Sequence, residues 1–158
     1  MIQRKQTVFL ALGALLTGLL FALPLARYTR PGGEAFDLRL TGLYDGSGAA
    51  VPDVAFKFPL HVVAGLLIAL LGVVIALFKD RPRQQRLLRF GHVFALGLLA
   101  AALFTHTSVK AYLGLNTTVE ASLQPGFFVP LLVMVCCFLA ERGIKADEKL
   151  IKSMDRLR

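Results

Sequence analysis

The sequence predicts an all-α integral membrane protein: a bundle of four transmembrane helices with a small extracytoplasmic hairpin-like loop and a C-terminal cytoplasmic amphipathic helix. Three observations carry that expectation. Hydrophobic residues make up 56% of the 158-residue chain, with a mean hydropathy of +0.64, against roughly 45–50% apolar residues in a soluble domain. The apolar residues gather in four blocks, Thr7–Ala26, Phe58–Phe78, Phe90–Val109 and Gly126–Ala140. The charge of +8 is concentrated on one side of those blocks. Residues 1–158 are read as a single membrane domain.

A helix needs about 20 residues to cross a hydrocarbon core of about 30 Å. Span one, residues 7–26, follows the basic pair Arg4 and Lys5. A cleaved signal peptide would start the same way, but the apolar block is longer than the usual h-region, and Pro24 and Ala26 make a poor small-x-small cleavage pattern; the segment is expected to be retained. The outer loop follows at 27–57. There FDLRLTGLY (36–44) alternates apolar Phe36, Leu38 and Leu40 with Asp37, Arg39 and Thr41, the period of a half-buried strand. DGSG (45–48) is a turn signal, and Val51, Val54 and Phe56 suggest a return strand broken by Pro52. The expectation is a hairpin lid over the outer helix ends, with a ligand-binding loop as the alternative.

Spans two and three, 58–78 and 90–109, qualify by length alone. The second outer loop, Lys110–Pro125, carries Asn116-Thr117-Thr118, a glycosylation pattern that means nothing in a bacterium. The fourth apolar block is short, but the uncharged Ala121–Pro125 extends it to a span at 121–141, and Pro125 suits the first turn of a helix because its missing N–H has no intrahelical partner there.

Orientation follows from Lys and Arg. With the N-terminus inside, two basic residues precede span one, five lie between spans two and three, and six follow span four, so 13 of the 18 share one side while the acidic residues divide evenly. The positive-inside rule then places both termini in the cytoplasm of a bacterial inner membrane. The basic excess reads as a topology signal and an attraction to anionic lipid headgroups rather than to nucleic acid.

Chemistry is sparse. His61 and His106, near the outer ends of spans two and three, lie at matching depth, and that pairing is the only hint of a haem or metal ligand set. His92 has no such counterpart. Cys136 and Cys137 are adjacent and diverge by about 100° on a helix, which suits neither a disulfide nor a metal pair. No Asp or Glu lies within the four apolar blocks, and neither a phosphate loop nor a catalytic triad pattern is present. No enzyme activity, cofactor or metal is expected. Gly13, Gly18, Gly65, Gly72, Gly91 and Gly97 recur inside the spans, as close helix packing in lipid requires.

The closing stretch, GIKADEKLIKSMDRLR (143–158), puts Ile144, Leu150, Ile151, Met154 and Leu157 on one helical stripe and Asp147, Glu148, Lys149, Lys152, Asp155 and Arg156 around the rest. Six basic residues accompany four acidic ones from Glu141 onward, a mixture that suits ion pairing with a protein better than binding to lipid. Together with MIQRKQTVFL at the start, this end resembles the domain-of-unknown-function family 4293, small four-span bacterial inner-membrane proteins. Met1, Gln3, Arg4 and Gln6 match the opening signature. Asp147, Glu148, Leu150, Ile151, Lys152, Ser153, Asp155, Arg156, Leu157 and Arg158 match the closing one, and Met154 stands where a small residue is expected. The resemblance implies no established activity or cofactor.

Signatures at both cytoplasmic ends and generic spans point to a non-enzymatic accessory or assembly subunit that docks a larger inner-membrane complex. Its expected docking residues are Gln3, Arg4, Asp147, Glu148, Leu150, Ile151, Asp155, Arg156 and Arg158, with Arg4 and Lys5 meeting Asp147, Glu148 or Asp155. Arg156 and Arg158 suit a carboxylate or phosphate, RNA being the lesser alternative. Membrane lipids are expected partners and a homo-oligomer is an alternative. The competing functions are a small-solute or lipid transporter and a haem-binding redox subunit.

Overall fold

The structure is a computed structural model that describes residues 3–51, 58–115 and 118–155. In chain order its elements are α1 (Gln3–Leu19), β1 (Ala26–Thr29), β2 (Ala35–Arg39), β3 (Gly42–Asp45), α2 (Leu60–Ala76), α3 (Arg81–Leu113), β4 (Glu120–Leu123) and α4 (Pro125–Asp155). Each helix packs on its neighbours in the ring α1–α2–α3–α4–α1.

The ring is held by one repeating pattern. α1 buries Gln6, Leu10, Gly13 and Thr17 and continues through Leu20 in the turn beyond it; α2 buries Leu60, Ala64, Leu67, Leu71 and Val74. On α3 the line runs from Gln84 through Leu88, Gly91, Ala95, Leu98, Ala102 and Thr105 to Val109. On α4 it runs through Gly126, Pro130, Val133, Cys137, Ala140, Ile144 and Asp147. Spacings alternate between four and three, the 3.5-residue repeat that keeps a seam facing its partners under a slight left-handed supercoil. The opposite faces are not polar. Val8 and Leu15 on α1, Leu66 on α2, Val93 and Phe104 on α3 and Phe138 on α4 are each about half exposed or more. α3 and the Pro125–Lys149 part of α4 are long and apolar enough to cross a membrane; the apolar parts of α1 and α2 are shorter.

The chain is mostly helical, as expected, but it is not all-α. An antiparallel sheet in the order β3-β2-β1-β4 covers the end of the bundle opposite the termini. Where the sequence suggested a long strand at 36–44, the chain turns at Leu40-Thr41 and β2 folds onto β3, Arg39 opposite Gly42. Asp45 then closes the DGSG turn, its carboxylate accepting from the Ser47 amide at 2.9 Å and the Ser47 hydroxyl at 2.6 Å, with Gly48 at φ 84°. Among the described residues the chain returns as a bridge between Tyr44 and Ala50, with the Val51 amide donating to the Leu43 carbonyl at 2.9 Å. Val54 and Phe56 of the expected return strand lie outside the described residues.

Two span boundaries also move. Helical turns continue α1 to about Leu23 through bonds such as Ala22 N–H to the Leu19 carbonyl, and Ala26 is already in β1. Ala121–Leu123, expected to begin span four, is strand β4 paired with Ala26–Tyr28, because a four-residue edge beside β1 satisfies backbone groups that a helix would otherwise take up. α4 then starts at Pro125 and runs unbroken past Gly143 into the tail. α3 is longer than its apolar block at both ends. Its start is fixed by Asp80, whose side chain accepts from the Arg83 amide, and by Pro82 in the first turn.

The tightest joint is Gly126. A Cβ there would stand 2.5 Å from the Pro24 carbonyl oxygen and 3.2 Å from Leu23 Cβ, so α4 can approach the end of α1 only without a side chain. Gly126→Ala should therefore lower the thermal midpoint clearly, by more than a surface change, whereas Gly72→Ala, where a Cβ would meet nothing within 4 Å, should not. Thermal unfolding followed by circular dichroism in detergent checks both.

Candidate functional site

The polar end of the bundle is where the two termini meet. Gln6 and Asp147 occupy the last turns of the α1 and α4 seams and are only 7% and 5% exposed. The Gln6 amide donates to Asp147 Oδ2, and Gly143 makes room for it: a Cβ there would lie 3.0 Å from Gln6 Cγ. Asp147 Oδ1 has no hydrogen-bond partner among the described residues. Next to this pair, Gln85 of α3 donates to Glu148 Oε2 at 2.7 Å, tying α3 to α4. Gln84, itself buried, donates to the Val74 carbonyl at 3.0 Å, one of the last carbonyls of α2, which have no intrahelical partner. Glu141 pairs with Lys145 at 2.6 Å one turn away. Around this layer Lys79, Arg83, Arg86, Arg89, Arg142 and Lys149 are exposed.

This geometry reassigns part of the expected docking set. Asp147 lies on the buried seam with Ala140 and Ile144, not on a polar outer face, because the seven-residue repeat continues into the tail. Its described partner is Gln6. Glu148 is half-buried beside Gln85. The side chains of Gln3, Arg4, Lys5, Leu150, Ile151 and Asp155 lie outside the described residues, as do Arg156 and Arg158 altogether. The sequence reading missed Gln6, Gln84 and Gly143 as structural residues. The signal was present, since Gln6 continues the line Leu20-Thr17-Gly13-Leu10 and Gln84 the line below Leu88.

The other end carries a second polar cluster. Tyr28 of β1 is fully buried, with its hydroxyl 2.8 Å from His106 Nδ1 and 3.3 Å from the His106 carbonyl, and the two rings stack at 5.5 Å. Phe127 meets His106 edge-on. Burial pushes the Tyr28 phenol far above its ordinary range. His106 is thus turned toward the sheet, whereas His61 is on the exposed face of α2. His92 Nδ1 lies 3.1 Å from the Leu88 carbonyl of its own helix. Arg30 clamps the sheet to α3, reaching the Leu113 carbonyl at 3.4 Å while stacking over Phe36 at 5.2 Å and pairing with Glu34 at 3.3 Å. Cys136 and Cys137 are free thiols packed beside Gly13 and Gly91. No group of three or more His, Cys, Asp or Glu is assembled among the described residues.

The family's sequence profile matches residues 2–157, essentially the whole chain. The protein belongs to the family described as Domain of unknown function (DUF4293). The two chain ends that carried the resemblance converge here, Gln6 from the first on Asp147 from the second. No curated protein matches the sequence.

A buried hydrogen bond to a charged group contributes about 1.5–3 kcal/mol, and leaving one partner behind costs more than removing both. Gln6→Leu should therefore destabilise the DUF4293 protein by about that amount, and Gln6→Leu with Asp147→Leu should recover most of the loss. Chemical denaturation of all four members of the cycle in detergent measures the coupling; additive losses would contradict a working pair.

On the sheet, the Arg27 guanidinium bonds Asp37 at 2.7 and 3.0 Å and holds its carboxyl below the usual range, and the Ser47 hydroxyl with the Ala49 amide does the same to Asp45. A lowered folded-state pKa stabilises above the unfolded carboxylate value of about 3.9 and is lost as pH falls through the folded one. The sheet should accordingly loosen below about pH 4, seen as faster amide exchange of Arg27–Thr29 and Ala35–Arg39. Asp37→Asn should be loosened already at neutral pH and respond less to acid.

Proposed function

We propose that the chain is a four-span protein of the bacterial inner membrane, both termini cytoplasmic, and a non-enzymatic accessory or assembly subunit that docks a larger complex through its terminal end. The observation that carries the membrane reading is the apolar outer face shared by all four helices. A soluble monomer rarely exposes contiguous apolar surface beyond a few hundred Å². Exposed leucine, valine or phenylalanine side chains stand on α1 and α2 as much as on the two longer helices, and the turns that extend α1 to about Leu23 bring it near the length an upright span needs. Basic residues at the terminal end give the orientation.

The docking reading rests on where the polar residues are gathered. Gln6, Gln84, Gln85, Asp147 and Glu148 hold the terminal end together, and the tail leaves that layer as a continuation of α4. The seam between, from Leu10 and Val133 to Ala140, is built of small and aliphatic residues, threonine and cysteine, which favours an inert scaffold over a conduction path. The transporter alternative predicts a self-contained oligomer; the haem alternative predicts a Soret band in the purified protein.

A cysteine at Ser47 should react with an impermeant thiol reagent in intact spheroplasts and one at Ser153 should not; the reverse pattern overturns the orientation. Because Asp147 belongs to the bundle, the informative truncation is after Lys149. It should leave insertion and thermal stability unchanged yet abolish co-purification of stoichiometric partners in mild detergent. Partners retained by the truncated chain would leave the tail without a docking role.

A further inference from the structure

We propose that the α2–α3 face holds one anionic phospholipid of the inner leaflet, its phosphate on Arg86 and one acyl chain in the hollow above. This rests on the membrane orientation just argued. The hollow, about 370 Å³, is lined by Phe58 and Val63 from the α2 side and by Val93, Gly97, Ala101 and Phe104 of α3, among other apolar residues. A Cβ at Gly97 would meet nothing within 4 Å. The bundle's own packing does not use this space.

The same stripe of α3 continues downward. From Gly97 the helical positions in line are Val93, Phe90, Arg86 and Arg83, all exposed. Arg83 is taken by Asp80 at 3.0 Å. Arg86 makes no ion pair or hydrogen bond with any described residue, which leaves its guanidinium open to an outside anion.

The vertical register admits an occupant anchored at Arg86. Phe90 begins the apolar stretch after Arg89, so it marks the edge of the hydrocarbon core. Arg86 lies one turn below it, about 6 Å, within the polar layer of roughly 5–7 Å that flanks the core. The α3 wall of the hollow, from Val93 to Phe104, lies about 5–21 Å above Phe90, and one leaflet of the core is about 15 Å deep, so its lower part, Val93 and Gly97, falls within the inner leaflet. A lipid whose phosphate meets Arg86 therefore brings its tail to the lower part of the hollow, beside Val93 and Gly97. Guanidinium and phosphate match in charge and in bidentate geometry. A transmembrane helix of a second copy would instead contact the stripe over its full length and set its own apolar residues against Arg86.

The test uses the full-length chain extracted from membranes in mild detergent, with native mass spectrometry of lipid retention after exchange into phosphatidylglycerol or phosphatidylcholine of the same acyl chains. One phosphatidylglycerol should remain per chain in preference to phosphatidylcholine. Arg86→Gln should weaken retention about tenfold, the loss of one charge-assisted hydrogen bond. Gly97→Leu, which fills the hollow and leaves every charge in place, should weaken it as well, while Lys149→Gln on α4 should not. Equal losses in Arg86→Gln and Lys149→Gln, or no loss in Gly97→Leu, would mean a diffuse basic belt and overturn the seat. A lipid-independent dimer that Gly97→Leu disrupts would assign the hollow to a second copy and overturn it too. A chain absent from the membrane fraction would overturn this proposal together with the membrane reading, whereas lipid indifference of a membrane-inserted chain would remove only the seat.

Discussion

Close approach of backbones along a seam that repeats every three and four residues is the constraint on which the rest of this structure depends. On the proposed membrane reading, lipid solvates leucine as well as another leucine does, so helices gain little from burying large side chains and associate where small ones let backbones meet. Gly13 against Cys136 and Gly91 against Cys137 are such places, where a Cβ added to the glycine would stand at an ordinary contact distance of 3.5–3.7 Å from its nearest neighbour. Gly126 is more demanding because its neighbour is the Pro24 carbonyl rather than a side chain. With association assigned to the seam, the outer faces are released from packing and carry leucine, valine and phenylalanine instead of charge.

The seam ends where polar groups begin, and each end is closed differently. At the sheet end, Tyr28, His106 and Arg30 bond across β1, α3 and the first hairpin, so the sheet is attached through the one fully buried phenol and through the last carbonyl of α3. A cation at a helix C-terminus is favoured by the helix dipole as well as by the orphan carbonyl. At the terminal end the groups are amides and carboxylates lying in the seam itself. A buried amide satisfies one carboxylate oxygen of Asp147, and Gln84 satisfies a carbonyl of α2 that helix geometry leaves open.

Length and hydropathy made the four helices and their apolar character legible, because each helix contains most of one of the apolar blocks. The sheet was half legible. Alternation at Phe36 and Leu38 marked β2, and DGSG marked the turn after β3, but β1 hides behind the apolar end of the first block and β4 inside an uncharged stretch that reads equally well as helix. Four-residue strands carry too little periodicity to announce themselves; only their pairing, Tyr28 between Phe36 and Ala121, defines them. The glycines were legible as packing residues but not as two groups. Gly13 and Gly91 face inward while Gly65, Gly72 and Gly97 have open space, a division that depends on helix rotation within the ring.

The closing segment illustrates how one charged stretch can carry two roles. Read by composition, Asp147 and Glu148 belong with Lys149, Asp155 and Arg156 on a solvated face. The seven-residue repeat separates them. Ile144 and Asp147 fall on the seam, where Asp147 meets Gln6, and Glu148 turns to Gln85. Breaking a buried pair costs more than an exposed ion pair contributes, since the group left behind stays out of water. Gln6, Asp147 and Glu148 thus fix where the α4 extension leaves the bundle, which is why the proposed docking role is assigned to the tail beyond Lys149.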